Sequence, residues 1–462
     1  MGLRTIRSRG AHCPGPVNRR AFLQLGLAGV GSLSLPELLR LRAGGAPGKS
    51  GARTALIVVW LQGGASHLET YDPKPDAPSD IRGPYKAIAT RVPGMRISEL
   101  LPKHAKVADK FALVRSMVHT GFCHQQGNQQ MFTGHPELVL KLKPDHPDLF
   151  SITHSLRGDS AKGLPGYVGV NPIPYLGSAY LGPAHEPFAV YGDPNSPDFS
   201  VPNIGINATQ RGRLNRRMAL LARLPKSSRV RQSLNQQDFD GFHAQAHSLL
   251  TGRAAARAFD IGREDPKTRD RYGRNTWGQR CLLARRLVEA GIDLVTTSLD
   301  GPLCGRVGNW DDHAVNHHIF EAMKKRCLYF DQAVSALIED LHERGLDRRV
   351  MVVVTGEFGR TPRISYEPDS ASKVRQPGRD HWPSATSLLL SGGGIRGGQV
   401  IGATDKLGAF VVHRRVGPRD LLATLYRHLG IDAEHIYVKD ESGRPIPILP
   451  EGQVIEELLG RT

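Results

Sequence analysis

The chain has 462 residues, 39% of them hydrophobic and 23% charged, with 51 Gly and 32 Pro. This is enough apolar material for one large or two ordinary domains, and too much for a fibrous or wholly disordered protein. The formal charge of +17 favours acidic partners, but no Lys/Arg run interleaved with aromatics and no zinc-finger spacing occurs, so nucleic-acid binding is not expected. No apolar run reaches the roughly 20 residues of a membrane-spanning helix.

The first predicted element is a leader. Asn18-Arg19-Arg20-Ala21-Phe22-Leu23-Gln24 precedes a short apolar stretch from Leu25 to Leu35, then Pro36 and the small residues Ala43-Gly44-Gly45-Ala46. A basic segment, a short apolar segment and small residues near a cut site make a signal peptide, and the paired Arg points to the twin-arginine route. Residues 1–46 are therefore expected as signal and linker, and the mature protein as periplasmic or otherwise exported. Residues 47–462 are expected as a single domain. Cys123, Cys281, Cys304 and Cys327 lack knuckle or CxxC spacing, and Cys281 and Cys327 fall on apolar helix faces that predict core packing.

Ala55 to Leu61 is a continuous apolar run of strand length ending at Gly63-Gly64, as expected of a strand buried on both faces. Phe111 to Met117 is a second. The stretch 158–260 opens rich in Pro, Gly and Asn, turns Arg- and Gln-rich, and reads as an insertion or cap. Trp277, Cys281, Ala284 and Val288 recur at helical spacing, Gly291 suits a C-cap, and Ile292 to Ser298 resumes as a strand. Ile319 to Leu341 forms a longer helical stripe closed by Gly345, then Val350 to Thr355 and Ser384 to Leu390 read as strands, and Pro418 starts a last helix. Alternating strands and helices predict an α/β fold with a doubly wound, mainly parallel sheet carrying helices on both faces, and sites at the strand carboxyl ends. Gly392 to Gly397 fits a phosphate-loop pattern, but no helix follows it, so it is read as a turn.

Polar residues cluster just after the strands. Gln62 to Asp72 follows the first; His119-Thr120-Gly121-Phe122-Cys123-His124 follows the second. Asp300 and then Trp310-Asp311-Asp312-His313 follow the third, while Glu357 to Arg363 and Arg379-Asp380-His381-Trp382 follow the fourth. His, carboxylate and Arg converging on one rim suit divalent-metal binding and anion chemistry.

These residues resemble a known family. The twin-arginine leader, Leu61-Gln62-Gly63-Gly64-Ala65-Ser66-His67, Gly278 to Arg286, Trp310-Asp311-Asp312-His313, Glu357-Phe358-Gly359-Arg360-Thr361-Pro362 and Asp380-His381-Trp382 resemble the exported bacterial family catalogued as domain of unknown function 1501, abundant in planctomycete-type bacteria. That family is itself similar to the alkaline phosphatase and sulfatase superfamily. The resemblance implies a sulfatase-like fold, and it implies roles position by position. The first strand's metal-binding Asp is replaced by Gln62. His124, nine residues before Thr133, stands where the superfamily has its nucleophile, and is either a phosphoryl-accepting nucleophile, an acid–base group or a metal ligand. The sulfatase requirement for a formylglycine precursor is not met. Asp311, His313, Glu357 and His381 look like metal ligands, whereas Phe358 stands in place of a superfamily His. Arg360, Arg363 or Arg379 would bind the anion.

Two functions follow from that resemblance. One is an exported hydrolase of phosphate or sulfate esters using a divalent ion (zinc, manganese or calcium) on a small-molecule or glycan ester substrate. The other is a lapsed sulfatase-like protein binding an envelope glycan or a partner protein, as Gln62 and Phe358 would predict. Oligomeric state is open.

Overall fold

The computed structural model describes residues 53–459 apart from 161–162, 203, 205–208, 210–211, 214–215, 218, 221–251, 302 and 304–307. The leader expected over residues 1–46 lies outside the described residues. Eight strands build the central sheet: β1 (Ala55–Trp60), β2 (Phe111–Met117), β3 (Tyr167–Val170), β4 (Phe188–Val190), β5 (Leu294–Ser298), β6 (Val350–Thr355), β7 (Thr386–Gly392) and β8 (Gln399–Ile401). Their order across the sheet is β8-β2-β7-β6-β1-β5-β3-β4. All pairings are parallel except those of β7, which runs antiparallel to both β2 and β6.

The apolar run of β1 has the consequence expected of it. All six of its residues are buried, and because side chains alternate across a strand they divide between two layers. Ile57 and Val59 join the core that holds Trp277, Cys281, Phe330 and Leu337; Leu56, Val58 and Trp60 join the core that holds Phe132, Phe150, Leu421 and Leu425. The helices supplying the first layer are α4 (Thr276–Ala290) and α5 (Ile319–Glu343). Those supplying the second are α1 (His124–Thr133), α2 (Leu149–Arg157) and α6 (Pro418–His428), while α3 (Pro266–Tyr272) precedes α4. This is the doubly wound arrangement. The Asn275 side chain accepts from Gly278 N–H at 3.0 Å to start α4, and Gly291 at φ 110° ends it, a cap worth about 1 kcal/mol. Cys281 and Cys327 are buried and free, as their spacing predicts.

Two expectations are refined. The stretch 158–260 is not wholly a cap, because it supplies β3 and β4 at one edge of the sheet; its part from 221 to 251 lies outside the described residues. β7 is antiparallel because the chain from 356 to 385 forms no helix to carry it back across the sheet. It stays at the carboxyl rim in two short ribbons, Gly359–Arg360 with His381–Trp382 and Ser365–Pro368 with Arg375–Gly378, so β7 begins at the end where β6 stopped. That detour brings His381 over the ends of β1 and β6.

Candidate metal centre

The centre is assembled from four segments at the carboxyl rim. His124 is the first residue of α1, after the loop leaving β2; Asp311 and His313 lie on the loop between β5 and α5; Glu357 follows β6; His381 sits on the ribbon before β7. In the run Asp311-Asp312-His313 the side chains alternate. Asp312 turns inward and pairs with Arg326, both fully buried, while the Arg326 guanidinium lies 4.8 Å from the Trp310 ring centroid. Asp311 and His313 are thereby left facing the rim. Arg379 N–H donates to Asp312 O at 3.0 Å and pins the loop from the other side.

The imidazoles converge. His313 Nε2 lies 3.0 Å from His381 Nε2, and Asp311 Oδ1 is 3.1 Å from the first and 3.2 Å from the second. His124 Nε2 approaches Asp311 Oδ2 at 3.4 Å, and His124, Asp311 and His381 offer ligand atoms all within 4.8 Å of one another. Each ring's other nitrogen is taken: His124 Nδ1 is 2.7 Å from Glu357 Oε1, His313 Nδ1 is 2.7 Å from Asp380 Oδ1, and His381 Nδ1 is 2.8 Å from Phe122 O. A carbonyl or carboxylate oxygen only accepts, so each Nδ1 carries a proton and each ring turns its Nε2 toward Asp311. Two Nε2 atoms 3.0 Å apart are held by a shared proton or by a cation between them. Four ligands about 2.0–2.1 Å from a tetrahedral ion are separated by roughly 3.3 Å, close to the spacings found here.

Electrostatics shows how strongly these groups are coupled. Burial lowers the basicity of His124, but the hydrogen bonds and charges of Asp311 and Glu357 outweigh it and hold the ring at about 9. Asp311 is pulled well below the usual carboxylate range: burial opposes this, and His124, His313, His381 and Arg360 together prevail. His313 is raised, with burial overcome chiefly by Asp311, while burial pushes His381 down.

The floor of the site is apolar. Phe358 is fully buried, with its ring 4.2 Å from that of His381 and 5.5 Å from that of His124, centroid to centroid. A Cβ on Gly64 would come within 2.6 Å of this ring, and one on Gly127 within 2.9 Å of Glu357 Cβ and 3.1 Å of the ring, so both positions admit only glycine. Gln62 turns aside, its Oε1 accepting from Trp60 Nε1 at 3.1 Å. The volume beside the cluster is thus filled by a phenyl ring rather than by ligands for a second ion.

Several expected residues find other work. Glu357 is fully buried, and its Oε1 accepts from Gly63 N–H at 2.9 Å as well as from His124; its geometry is that of an orienting carboxylate for His124 rather than one of the converging ligands. The anion grip expected of Arg360 and Arg379 is corrected. Arg360 is fully buried, giving its protons to Gly63 O, Gly64 O, Trp310 O, Arg379 O and Asp311 Oδ1. Arg379, equally buried, gives its protons to Glu69, Ile81 O, Thr361 O and Pro362 O. Neither guanidinium is open to a substrate, because both are enclosed and turned to partners within the protein, only Arg379 Nε lacking one. Arg363 is exposed and only loosely paired with Asp80 at 3.7 Å. His67 donates to Gly408 O at 2.8 Å, and Asp300 pairs with Arg280 and Asn171, away from the cluster.

His119, also in the polar run after β2, is buried and held down to about 4, chiefly by that burial; it accepts from Gly121 N–H at 3.1 Å and reaches Glu357 O at 2.5 Å, bracing the loop that carries Phe122. The roles of Asp380 and of the Phe122 carbonyl escaped sequence reasoning. Asp380 stood in a noticed motif and could have been found as a His partner; a backbone carbonyl leaves no such signal.

Fold and centre together define a doubly wound α/β protein with a His/Asp cluster at the carboxyl rim of its sheet. The model of the family described as "Protein of unknown function (DUF1501)" matches residues 53–459, and the chain belongs to that family. No curated protein matches it in sequence. Among solved structures it is similar to the PsFucS1 sulfatase from Pseudoalteromonas sp., at 12% identity over 93% of this chain and 78% of that one, with a TM-score of 0.37. It is similar also to the phosphonate monoester hydrolase of Agrobacterium radiobacter, at 12% identity, 89% and 78% coverage and a TM-score of 0.37. A third is BT1596, a 2-O GAG sulfatase, at 11% identity, 89% and 75% coverage and a TM-score of 0.36. No described helix is long and apolar enough to cross a membrane.

Proposed function

We propose that the protein is an exported hydrolase of phosphate or sulfate esters that works with one divalent ion held by His124, Asp311, His313 and His381. The observation that carries this reading is the meeting of His313 and His381 Nε2 atoms at 3.0 Å over the Asp311 carboxylate, with every Nδ1 already engaged. A divalent ion there would polarise an ester oxygen and lower the pKa of a bound water. Three imidazoles and one carboxylate favour zinc or manganese over calcium, which prefers an all-oxygen shell.

The residues around the cluster then have definite tasks. Glu357, Asp380 and the Phe122 carbonyl fix the three rings, as the outer partners of metal-bound histidines do. Arg360 holds Asp311 Oδ1 at 2.7 Å and keeps the carboxylate aimed at the rings. Phe358 excludes a second ion and keeps water from beneath the rings. His124 serves as a ligand in this reading, which leaves water rather than a side chain to attack the ester. Export by the twin-arginine route rests on residues 18–35.

A second reading, a lapsed sulfatase-like protein binding an envelope glycan or partner protein, is favoured by the burial of Arg360 and Arg379, which leaves the substrate anion without an arginine grip. Elemental analysis of the full chain, beside a His313→Ala/His381→Ala double variant, tests both. About one ion per wild-type chain, none in the variant, and metal-dependent cleavage of aryl phosphate or sulfate esters support the hydrolase. An ion without turnover on either ester class supports the second reading, and an empty wild type after incubation with zinc, manganese and calcium removes the metal centre.

A further inference from the structure

Beyond the three rings, one more side chain meets the Asp311 carboxylate from the solvent side. Asn316 is exposed, and its Nδ2 donates at 3.4 Å to both Asp311 O and Asp311 Oδ2, the oxygen that His124 Nε2 also approaches at 3.4 Å. Among the described residues the other side chain on that carboxylate is Arg360, which is enclosed. A single turn sets the position of Asn316: the N–H groups of Asn316 and His317 donate to His313 O at 2.9 and 3.0 Å, so the chain returns to the rim three places after His313. Both Asn316 contacts are at the long limit for a hydrogen bond, and are readily given up for a closer acceptor.

We infer that the substrate is an ester with a single negative charge, a sulfate monoester or a phosphate diester, and that the Asn316 amide holds its free oxygen. The inference rests on the hydrolase reading above and narrows it. A divalent ion beside the carboxylates of Asp311 and Glu357 and the guanidinium of Arg360 leaves one net positive charge, because imidazoles that hold the ion through Nε2 and a partner through Nδ1–H are neutral. The amino end of α1, where His124 stands, adds about half a positive charge. Asp380, on the outer nitrogen of His313, adds negative charge at the mouth. One negative charge on the substrate is matched in this setting. A second, as on a phosphate monoester, would enter a half-buried site without a partner, which is costly. With Arg360 and Arg379 enclosed, a neutral donor at the mouth fits that balance, since a carboxamide binds an ester oxygen without adding charge.

Binding and turnover test it separately on the zinc-loaded full chain. At about pH 8.5, well above the second ionisation of a phosphate-type group at about 6, calorimetry compares phenylphosphonate, a dianion, with its monomethyl ester, a monoanion of nearly the same shape. The ester is expected to bind roughly tenfold tighter, and the difference to shrink as lower pH returns phenylphosphonate to a monoanion. Asn316→Ala should weaken the ester roughly tenfold at wild-type metal content and melting temperature, and Asn316→Arg should shift the preference toward the dianion. In turnover, bis(para-nitrophenyl) phosphate or para-nitrophenyl sulfate should be cleaved faster than para-nitrophenyl phosphate, and which of the two is cleaved separates the two ester chemistries. Tighter binding of the dianion, binding of neither phosphonate, or an Asn316→Ala protein that binds like wild type would overturn the inference. So would a loss of metal rather than of ester affinity in that variant, which would make Asn316 a prop for Asp311. A preference for the monoanion that depends on Asn316, with no ester cleaved, supports the charge selection and overturns the hydrolase reading alone; a wild type that takes up no ion overturns both.

Discussion

Two regions of this molecule are dense in charge, and they differ in how the charge is balanced. Beneath α4 and α5, Arg285 pairs with Glu264 at 2.6 Å, Glu289 at 2.6 Å and Asp340 at 2.8 Å, while Arg344 reaches Asp340 and Glu289, and Tyr272 donates to Asp340. Acids and bases alternate there, and each guanidinium faces carboxylates. At the carboxyl rim His124, His313 and His381 crowd round Asp311 with their Nε2 atoms converging on it. Density of charge alone does not mark a site. Imidazoles converging on one carboxylate, with their outer nitrogens already fixed, do.

The comparison can be broken by substitution. The largest effect is expected from Asp311→Ala, which removes the acceptor shared by three rings: equilibrium dialysis should find ion binding lost, by more than about a thousandfold in affinity, since both coordination and charge neutralisation go. A protein that holds its ion without Asp311 would deny the centre its core. In the balanced region Arg285→Met should cost about 3–5 kcal/mol of unfolding free energy in denaturant titration, because Glu264 and Asp340 lose a buried partner, while metal content stays at the wild-type level.

Acid sharpens the contrast further. His119 is buried and titrates near 4 in the folded protein against about 6.5 unfolded, so the unfolded chain binds the proton first. Its contribution is present above pH 6.5 and is lost as the pH falls toward 4, by up to about 1.4 kcal/mol per unit. Denaturation in the presence of a chelator should show this slope reduced in His119→Gln; equal slopes in both proteins would remove the assignment. The smallest effect is expected from Glu357→Gln, which keeps an oxygen for His124 Nδ1 but removes its charge. Ion affinity should fall about 10- to 100-fold with folding intact, and an unchanged affinity would show that Glu357 does not orient His124.

Much of this was visible along the chain. The run ALIVVW specified a strand buried on both faces, and the spacing from Trp277 to Gly291 specified a capped helix, because burial and capping act over a few residues. The motifs after the strands named all four converging side chains. Their roles were less visible: Glu357 read as a ligand and became the partner of His124, and Arg360 and Arg379 read as anion grips and became buried braces. A carboxylate or guanidinium looks the same in sequence whether it faces solvent or a buried carbonyl.

By itself, then, the amino-acid order determined the elements, their alternation and the family, since periodicity and local turn chemistry are properties of short segments. Only the tertiary structure decided that β7 runs backwards, that Phe358 fills the place beside the cluster, and that His313 and His381 meet 3.0 Å apart across sixty-eight positions of chain. Those outcomes depend on which segments share a rim and which nitrogen of each ring is already bonded, and both are settled by packing between residues far apart in sequence.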